Sequence, residues 1–261
     1  MGTYAITGAA GGIGAATRAL LEEAGHEVIG IDLAGTDIDA DLSSSAGRAA
    51  AAAAVGERTD RLDGVVPCAG LNGIPSVDAG LLTAVNYFGT VELLAELRPL
   101  LAAAGTSAVV LISSFATTTQ PLTALELVDA CLSGDEDAAR ALGEQLGPFV
   151  AYPSTKTAIC RWMRTVGMGA DWMGAGIRMN AVAPGVTETQ MVAEVRADEA
   201  IGQFLDQIPI PLGRTAQADE IARAIVWLLG ADSSYVVGSV LFVDGGTDAL
   251  VRPDGYPSPM S

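Results

Sequence analysis

Along the chain, short apolar and β-branched runs alternate with longer Ala- and Leu-rich stretches of helical period. Residues 3–7 read as a first strand and 15–24 as a helix of strong formers. A second strand covers 27–31 and ends in Asp32. Residues 39–42 form a short link, and an Ala-rich helix follows from Ser43, its N-cap candidate, to Ala54. Further strands are expected at 63–70, 107–112, 177–183 and 239–243, and helices over 79–104, 149–172 and 217–229. One stretch stands outside this alternation. Residues 121–132 carry apolar side chains at 122, 125, 128 and 132, and Ser133 with Glu136 reads as a capping box for a second helix ending near Leu146. Residues 115–148 are therefore expected to hold an inserted helical hairpin. Residues 186–211 read as a polar loop with a short helix, and the Pro-containing tail 252–261 as extended.

Strands alternating with helices over the whole length imply an α/β fold, a parallel sheet covered on both faces. No repeat or linker composition divides it, so residues 1–261 are expected to form a single domain.

Composition changes this picture by exclusion. Half the residues are hydrophobic, yet no apolar run approaches the ~18 residues of a membrane span. The N-terminus lacks a basic flank for a signal peptide, and Ile6 stands where a myristoylation motif needs Ser or Thr. With 14 basic against 31 acidic residues, the net charge of −17 repels phosphate backbones and anionic lipids, which argues against nucleic-acid and membrane partners. Cys68, Cys131 and Cys160 show neither pairing nor metal spacing and read as reduced thiols of a cytoplasmic chain. The single histidine, His26, argues against a His-based triad and against a metal site.

The candidate chemistry lies at strand ends. The first strand runs into Gly8-Ala9-Ala10-Gly11-Gly12-Ile13-Gly14 and then a helix, the context in which a glycine-rich turn cradles a pyrophosphate. Gly8 permits the tight turn, Gly12 lets the backbone approach the phosphates, and Gly14 allows the helix to pack close to the strand. Asp32 stands eighteen positions after Gly14, placed to accept from an adenosine ribose. No Arg or Lys follows at 33–40, which favours NAD over NADP. Asn86 sits inside a predicted helix, where Asn is unfavourable, so it is either a structural bridge or a functional group. Ser113 and Ser114 end a strand at the edge where such sheets bind ligands. Tyr152 and Lys156, four apart, share a helix face; a neighbouring ammonium is expected to ease phenolate formation.

Taken in order, Thr7-Gly8-x3-Gly12-Ile13-Gly14, Asn86, Ser114 and Tyr152-x3-Lys156 resemble the short-chain dehydrogenase/reductase family over nearly the whole chain. The resemblance implies a single-domain Rossmann-type, doubly wound sheet of about seven parallel strands. It also implies an NAD-dependent oxidoreductase with Asn86, Ser114, Tyr152 and Lys156 as catalytic residues. The cofactor would lie on Gly8, Gly12, Ile13, Gly14, Asp32, Leu33, Asp41, Leu42, Cys68, Ala69, Gly70, Tyr152, Lys156, Pro184, Gly185, Thr187 and Thr189. Pro67-Cys68-Ala69-Gly70 departs from the Asn-Asn-Ala-Gly of many members. The inserted hairpin and the phrases Gly30-Ile31-Asp32 and Pro184-Gly185-Val186-Thr187-Glu188-Thr189 are similar to a bacterial subgroup of 3α-hydroxysteroid dehydrogenases and carbonyl reductases. Coniferyl-type alcohol dehydrogenases look like relatives of that subgroup. A small hydrophobic alcohol or ketone is the implied substrate, with Phe115, Phe149, Met191, Phe204 and Leu205 as candidate pocket walls and 186–211 as its cover. The implied assembly is a homodimer or homotetramer, the insertion favouring the dimer. A protein that senses NAD without turnover is the reading of a different class.

Overall fold

The structure, a computed structural model, describes residues 1–120, 122–199 and 201–255. Proline-bearing positions 256–261 of the expected tail lie outside the described residues, as does the side chain of Phe204.

Seven parallel strands form one sheet in the order β3-β2-β1-β4-β5-β6-β9. They are β1 (Thr3–Thr7), β2 (Glu27–Asp32), β3 (Ile38–Asp39), β4 (Gly64–Pro67), β5 (Ser107–Ile112), β6 (Ile177–Pro184) and β9 (Val240–Val243), while β7 (Thr187–Glu188) and β8 (Ala216–Gln217) pair separately. The seventh strand is β3, which the sequence offers only as a link. It is two residues long, too short for a periodic signal.

The central strands are apolar throughout because both faces are buried. In β5, Val109 and Leu111 enter the cluster on one face, and Ala108, Val110 and Ile112 enter the cluster on the other. Helices α1 (Gly12–Glu23) and α11 (Ala218–Leu229) cover the second face, and α2 (Ser45–Gly56), α4 (Gly89–Ala103) and α8 (Pro148–Thr165) cover the first. The fold is thus the doubly wound α/β sheet expected.

Local differences have local causes. Ser44, not Ser43, caps α2: it is extended and its Oγ accepts from Gly47 N at 3.1 Å, while Ser43 N donates to Asp41 Oδ1 at 2.9 Å. The helix expected over 79–104 is α3 (Ala79–Thr83), a π-helical turn (Ala84–Phe88) and α4. The hairpin is present as α6 (Leu125–Ser133) and α7 (Glu136–Leu146), after a short α5 (Ala116–Thr119). No Ser133–Glu136 capping box forms. Ser133 Oγ donates back to Ala130 O at 2.7 Å, and Asp135 caps α7 by accepting from Ala138 N at 3.0 Å. Helix α8 stops at Thr165 rather than 172; Trp172 folds back onto Trp162 with ring centroids 5.5 Å apart. The loop 186–211 holds β7, α9 (Gln190–Ala197) and α10 (Gly202–Leu205), and α12 (Thr247–Val251) follows β9. Among the described residues no helix is long and apolar enough to cross a membrane.

Arg48 ties the insertion to the body. It is 1% exposed on α2. Its guanidinium bonds Glu92 of α4 at 2.8 Å, the Leu42 carbonyl at 3.1 Å and Glu136 of α7. A buried cation is tolerable only when so paired. The carboxylates are more exposed than the cation, at 39% and 20% of their side chains. Replacing both, Glu92→Gln with Glu136→Gln, strands the charge and is expected to cost about 3–5 kcal/mol in urea unfolding. Arg48→Met, which leaves two hydratable carboxylates, is expected to cost less; the reverse order would contradict this account.

Candidate active site

The glycine turn leaves β1 with Gly8 at φ 66°, a left-handed conformation that favours glycine. A Cβ there would sit 2.8 Å from Ala69 N, and one on Gly14 would collide with the Gly8 carbonyl oxygen. Close approach thus presses the turn against the Cys68–Ala69–Gly70 segment, where Ala69 N also donates to Thr7 Oγ1 at 2.9 Å. Gly11 caps α1 with no side-chain bond, so no capping side chain engages the first main-chain amides of the helix. The Gly14 N–H meets the Cys68 thiol, whose pKa burial raises to about 11. Ile13 is half-buried beside it. On the other side, a Cβ at Gly12 would stand 3.3 Å from Thr189 Cγ2, bringing the loop after β6 against the turn.

Asp32 closes β2. Its carboxylate accepts from Ala10 N at 2.9 Å and from Leu33 N at 2.8 Å, which fixes an acid beside the glycine turn. Leu33 is 72% exposed, Asp41 is exposed and Leu42 is buried. The Asp41 carboxyl lies below the usual range because Ser43 hydrogen-bonds it. Two nearby cations are already engaged: Arg18 pairs with Asp37 at 3.0 Å, and Arg58 donates to the Asp37 carbonyl at 2.6 Å.

Asn86 is fully buried in the π-helical turn, a distortion that frequently marks functional sites. Its Oδ1 accepts from Leu71 N at 2.7 Å, and its Nδ2 donates to Leu71 O at 3.0 Å. Gly70 fits between two predicted site residues: a Cβ there would lie 3.1 Å from Asn86 Oδ1 and 3.6 Å from Lys156 Nζ. Lys156 Nζ donates to the Ile112 carbonyl at 2.9 Å.

The two serines after β5 diverge, as strand alternation requires. The Ser114 hydroxyl accepts from Ala116 N at 3.2 Å and acts on the Tyr152 phenol, favouring its ionised form, whereas Ser113 accepts from the Cys160 thiol at 3.1 Å. Ser154 faces the hairpin, accepting from Ala124 N at 2.9 Å. Electrostatics differ from expectation at one point. Burial raises the Tyr152 phenol, with the Ser114 bond opposing, and Lys156 is not among the groups that lower it. Burial instead pulls Lys156 itself down to about 8. Desolvation acts on both groups, pushing each toward its neutral form.

Pro184 ends β6 in the core; Gly185 packs so tightly on Asp244 that a Cβ would sit 2.6 Å from its Cα. Thr187 Oγ1 donates to Gly185 O at 3.0 Å and Thr189 caps α9. Of the proposed pocket walls, Phe149 is 42% exposed, and Phe115, Met191 and Leu205 are half-buried. Sequence reasoning passed over Asn72, 6% exposed, whose signal was only its place two residues past Gly70. His26 lies elsewhere, accepting from Gly2 N at 3.0 Å and stacking edge-on with Tyr4.

Residues 3–125 match the family described as short chain dehydrogenase, and residues 138–248 the one described as Enoyl-(Acyl carrier protein) reductase. The chain is 39% identical over 261 residues to the 3-alpha-hydroxysteroid dehydrogenase/carbonyl reductase of Comamonas testosteroni, covering 98% of this chain and 100% of that one. It is 33% identical over 247 residues to the cis-4-hydroxycyclohexanecarboxylate dehydrogenase of Sinomonas cyclohexanicum, covering 94% and 96%. The crystal structure of 3-alpha-hydroxysteroid dehydrogenase from Pseudomonas sp. B-0831 complexed with NADH superposes with a TM-score of 0.92 at 44% identity, covering 97% of this chain and 99% of that one. The chain belongs to the short-chain dehydrogenase/reductase family and is an oxidoreductase of that family.

The glycine geometry is directly testable. Gly14→Ala is expected to weaken NADH binding on the order of tenfold or more in a fluorescence titration. Gly11→Ala, with no heavy atom within 4 Å of its Cβ position, is expected to leave binding close to wild type. Equal affinity in the two variants would count against the cradle.

Proposed function

We propose that this chain interconverts a secondary alcohol on a hydrophobic ring and its ketone, using NAD(H), with Tyr152 as acid and base. The observation that carries the reading is that the Ser114 hydroxyl stands near enough to the Tyr152 phenol to favour its ionised form, one helical turn from Lys156 and beside the Asn86-clamped floor. The residues present fit the cofactor. Glycines whose Cβ atoms would fill the turn, together with an α1 N-terminus that no side chain caps, suit a pyrophosphate, and the fixed Asp32 carboxylate suits a ribose diol and repels a 2′-phosphate. NAD, when bound, supplies the hydride acceptor. Leu33, Asp41 and Leu42 would border the adenine, Cys68 to Gly70 the ribose, and Pro184 to Thr189 the nicotinamide end.

In oxidation, the substrate hydroxyl gives its proton to the Tyr152 phenolate as the carbon loses hydride; in reduction, the phenol returns the proton. Ser114 holds the substrate oxygen and stabilises charge developing on it. Lys156 would hold the nicotinamide ribose, and Asn86 would support a proton path behind it. A 3α-hydroxysteroid or related hydrophobic carbonyl is the proposed substrate, on the strength of the 39% identity over the full length. Both named relatives act on hydroxyl-bearing rings, which supports a ring alcohol over a coniferyl-type one.

We further propose one catalytic unit over 1–261, working in a reducing cytoplasm with three free thiols, and assembled as a dimer. What supports the dimer is that the hairpin α6–α7 covers part of α8, with Ala124 bonded to Ser154 and Asp129 facing Arg161 at 4.0 Å, so that part of the helix is not free for a further subunit contact. A mass by light scattering near four chains would overturn the dimer.

Tyr152→Phe is expected to lower turnover of androsterone by ~10²–10⁴ while NADH binding persists. Because burial raises the phenol, alcohol oxidation by the wild type is expected to climb through the alkaline range and ketone reduction to fall there. Near-wild-type turnover in the variant would defeat the assignment. Faster NADH formation with coniferyl alcohol than with androsterone would replace the ring-alcohol substrate.

A further inference from the structure

The segment after β4 is held at three successive positions. Leu71 is clamped at both main-chain groups by Asn86. Gly73 packs on the Tyr152 helix so closely that a Cβ would lie 2.8 Å from Pro148 O and 2.9 Å from Tyr152 Cβ. Between them stands Asn72, only 6% exposed. Its Oδ1 accepts from Ile74 N at 3.3 Å, so the amide is oriented by its own segment. Its Nδ2 leaves the segment altogether and donates to Met191 O at 3.5 Å and Glu194 Oε2 at 3.4 Å, both on α9.

Helix α9 has no fully buried residue to hold it. At its start, Thr189 rests on Gly12 of the glycine turn. A second tie to the site runs through Asn72. We propose that Asn72 is the catch that holds α9 closed beside Tyr152, a positioning residue for the substrate, with Glu194 as its charged acceptor. This rests on reading residues 186–211 as the substrate cover. The bonds are long, so each is weak, and a weak bond suits a cover that must open at every turnover. A buried donor on a rigid frame, aimed at a movable helix, sets how often the closed state is occupied without touching the reacting atoms.

Charge exchange separates a catch from a packing role. Asn72→Asp keeps the acceptor for Ile74 but sets a carboxylate against Glu194, leaving two acceptors and no donor. Adding Glu194→Gln restores a donor between the two side chains. Glu194→Lys, at an exposed position, removes the acceptor without touching the buried amide.

With NADH bound, amide hydrogen exchange over residues 190–197 is expected to accelerate in Asn72→Asp and, less, in Glu194→Lys. Most protection should return in the Asn72→Asp/Glu194→Gln pair, while residues 149–165 stay unchanged in all. The KM for androsterone is expected to rise about three- to tenfold in Asn72→Asp, with the KM for NAD unchanged. Unaltered exchange at 190–197, no recovery in the pair, or an equal rise in the KM for NAD would overturn the proposal. The exchange readout needs no turnover. Loss of activity on androsterone would therefore count against the ring-alcohol reading, and loss of the exchange pattern against the catch.

Discussion

Two hydrogen bonds between the Asn86 amide and the main chain of Leu71 hold the site together. Asn is a poor residue for a helix interior, and here the helix gives way: a π-helical turn lets the side chain face the sheet edge instead of its own backbone. The clamp fixes the loop after β4. Gly70 is thereby wedged between Asn86 and Lys156, Asn72 is turned toward α9, and Gly73 is set against Tyr152. One amide thus sets the floor of the cofactor cleft, the place of the ammonium and the spacing of the tyrosine helix.

Burial at this floor has an electrostatic consequence. Tyr152 and Lys156 both lose solvation, and each is pushed toward its neutral form, the phenol upward and the ammonium down to about 8. Only Ser114 works for the phenolate, by hydrogen bonding. In the folded chain the phenol is thus held toward its neutral form, with the Ser114 hydroxyl opposing that shift.

Much of this was legible because it is local. The glycine turn, Asp32 and the Tyr152–Lys156 spacing are read from neighbours within a few positions, while the preference for Ser114 over Ser113 came from the family resemblance. Other features were illegible because their partners are remote. Glu136 looked like half of a capping box, yet it serves Arg48, which lies 88 positions away, and the free cap fell to Asp135. Ser43 and Ser44 are equal candidates by type; only Asp41, by folding back on Ser43, decides between them. Asn72 carries no signal beyond its place after Gly70, since its partners on α9 come more than a hundred residues later. The tyrosine shift was misjudged because spacing reports a neighbouring charge but not the burial that opposes it.

The inserted hairpin gains meaning from those remote partners. At one end, Ala124 just before α6 is bonded to Ser154, between Tyr152 and Lys156 on α8. At the other, Glu136 opening α7 holds Arg48, which holds the Leu42 carbonyl at the turn after β3. The hairpin therefore braces the Tyr152 helix at one end and the Leu42 turn at the other. A bare insertion could drift without consequence to the site. This one is fixed through a buried cation on one side and a buried serine on the other, so a displacement of the hairpin is mechanically a displacement of both.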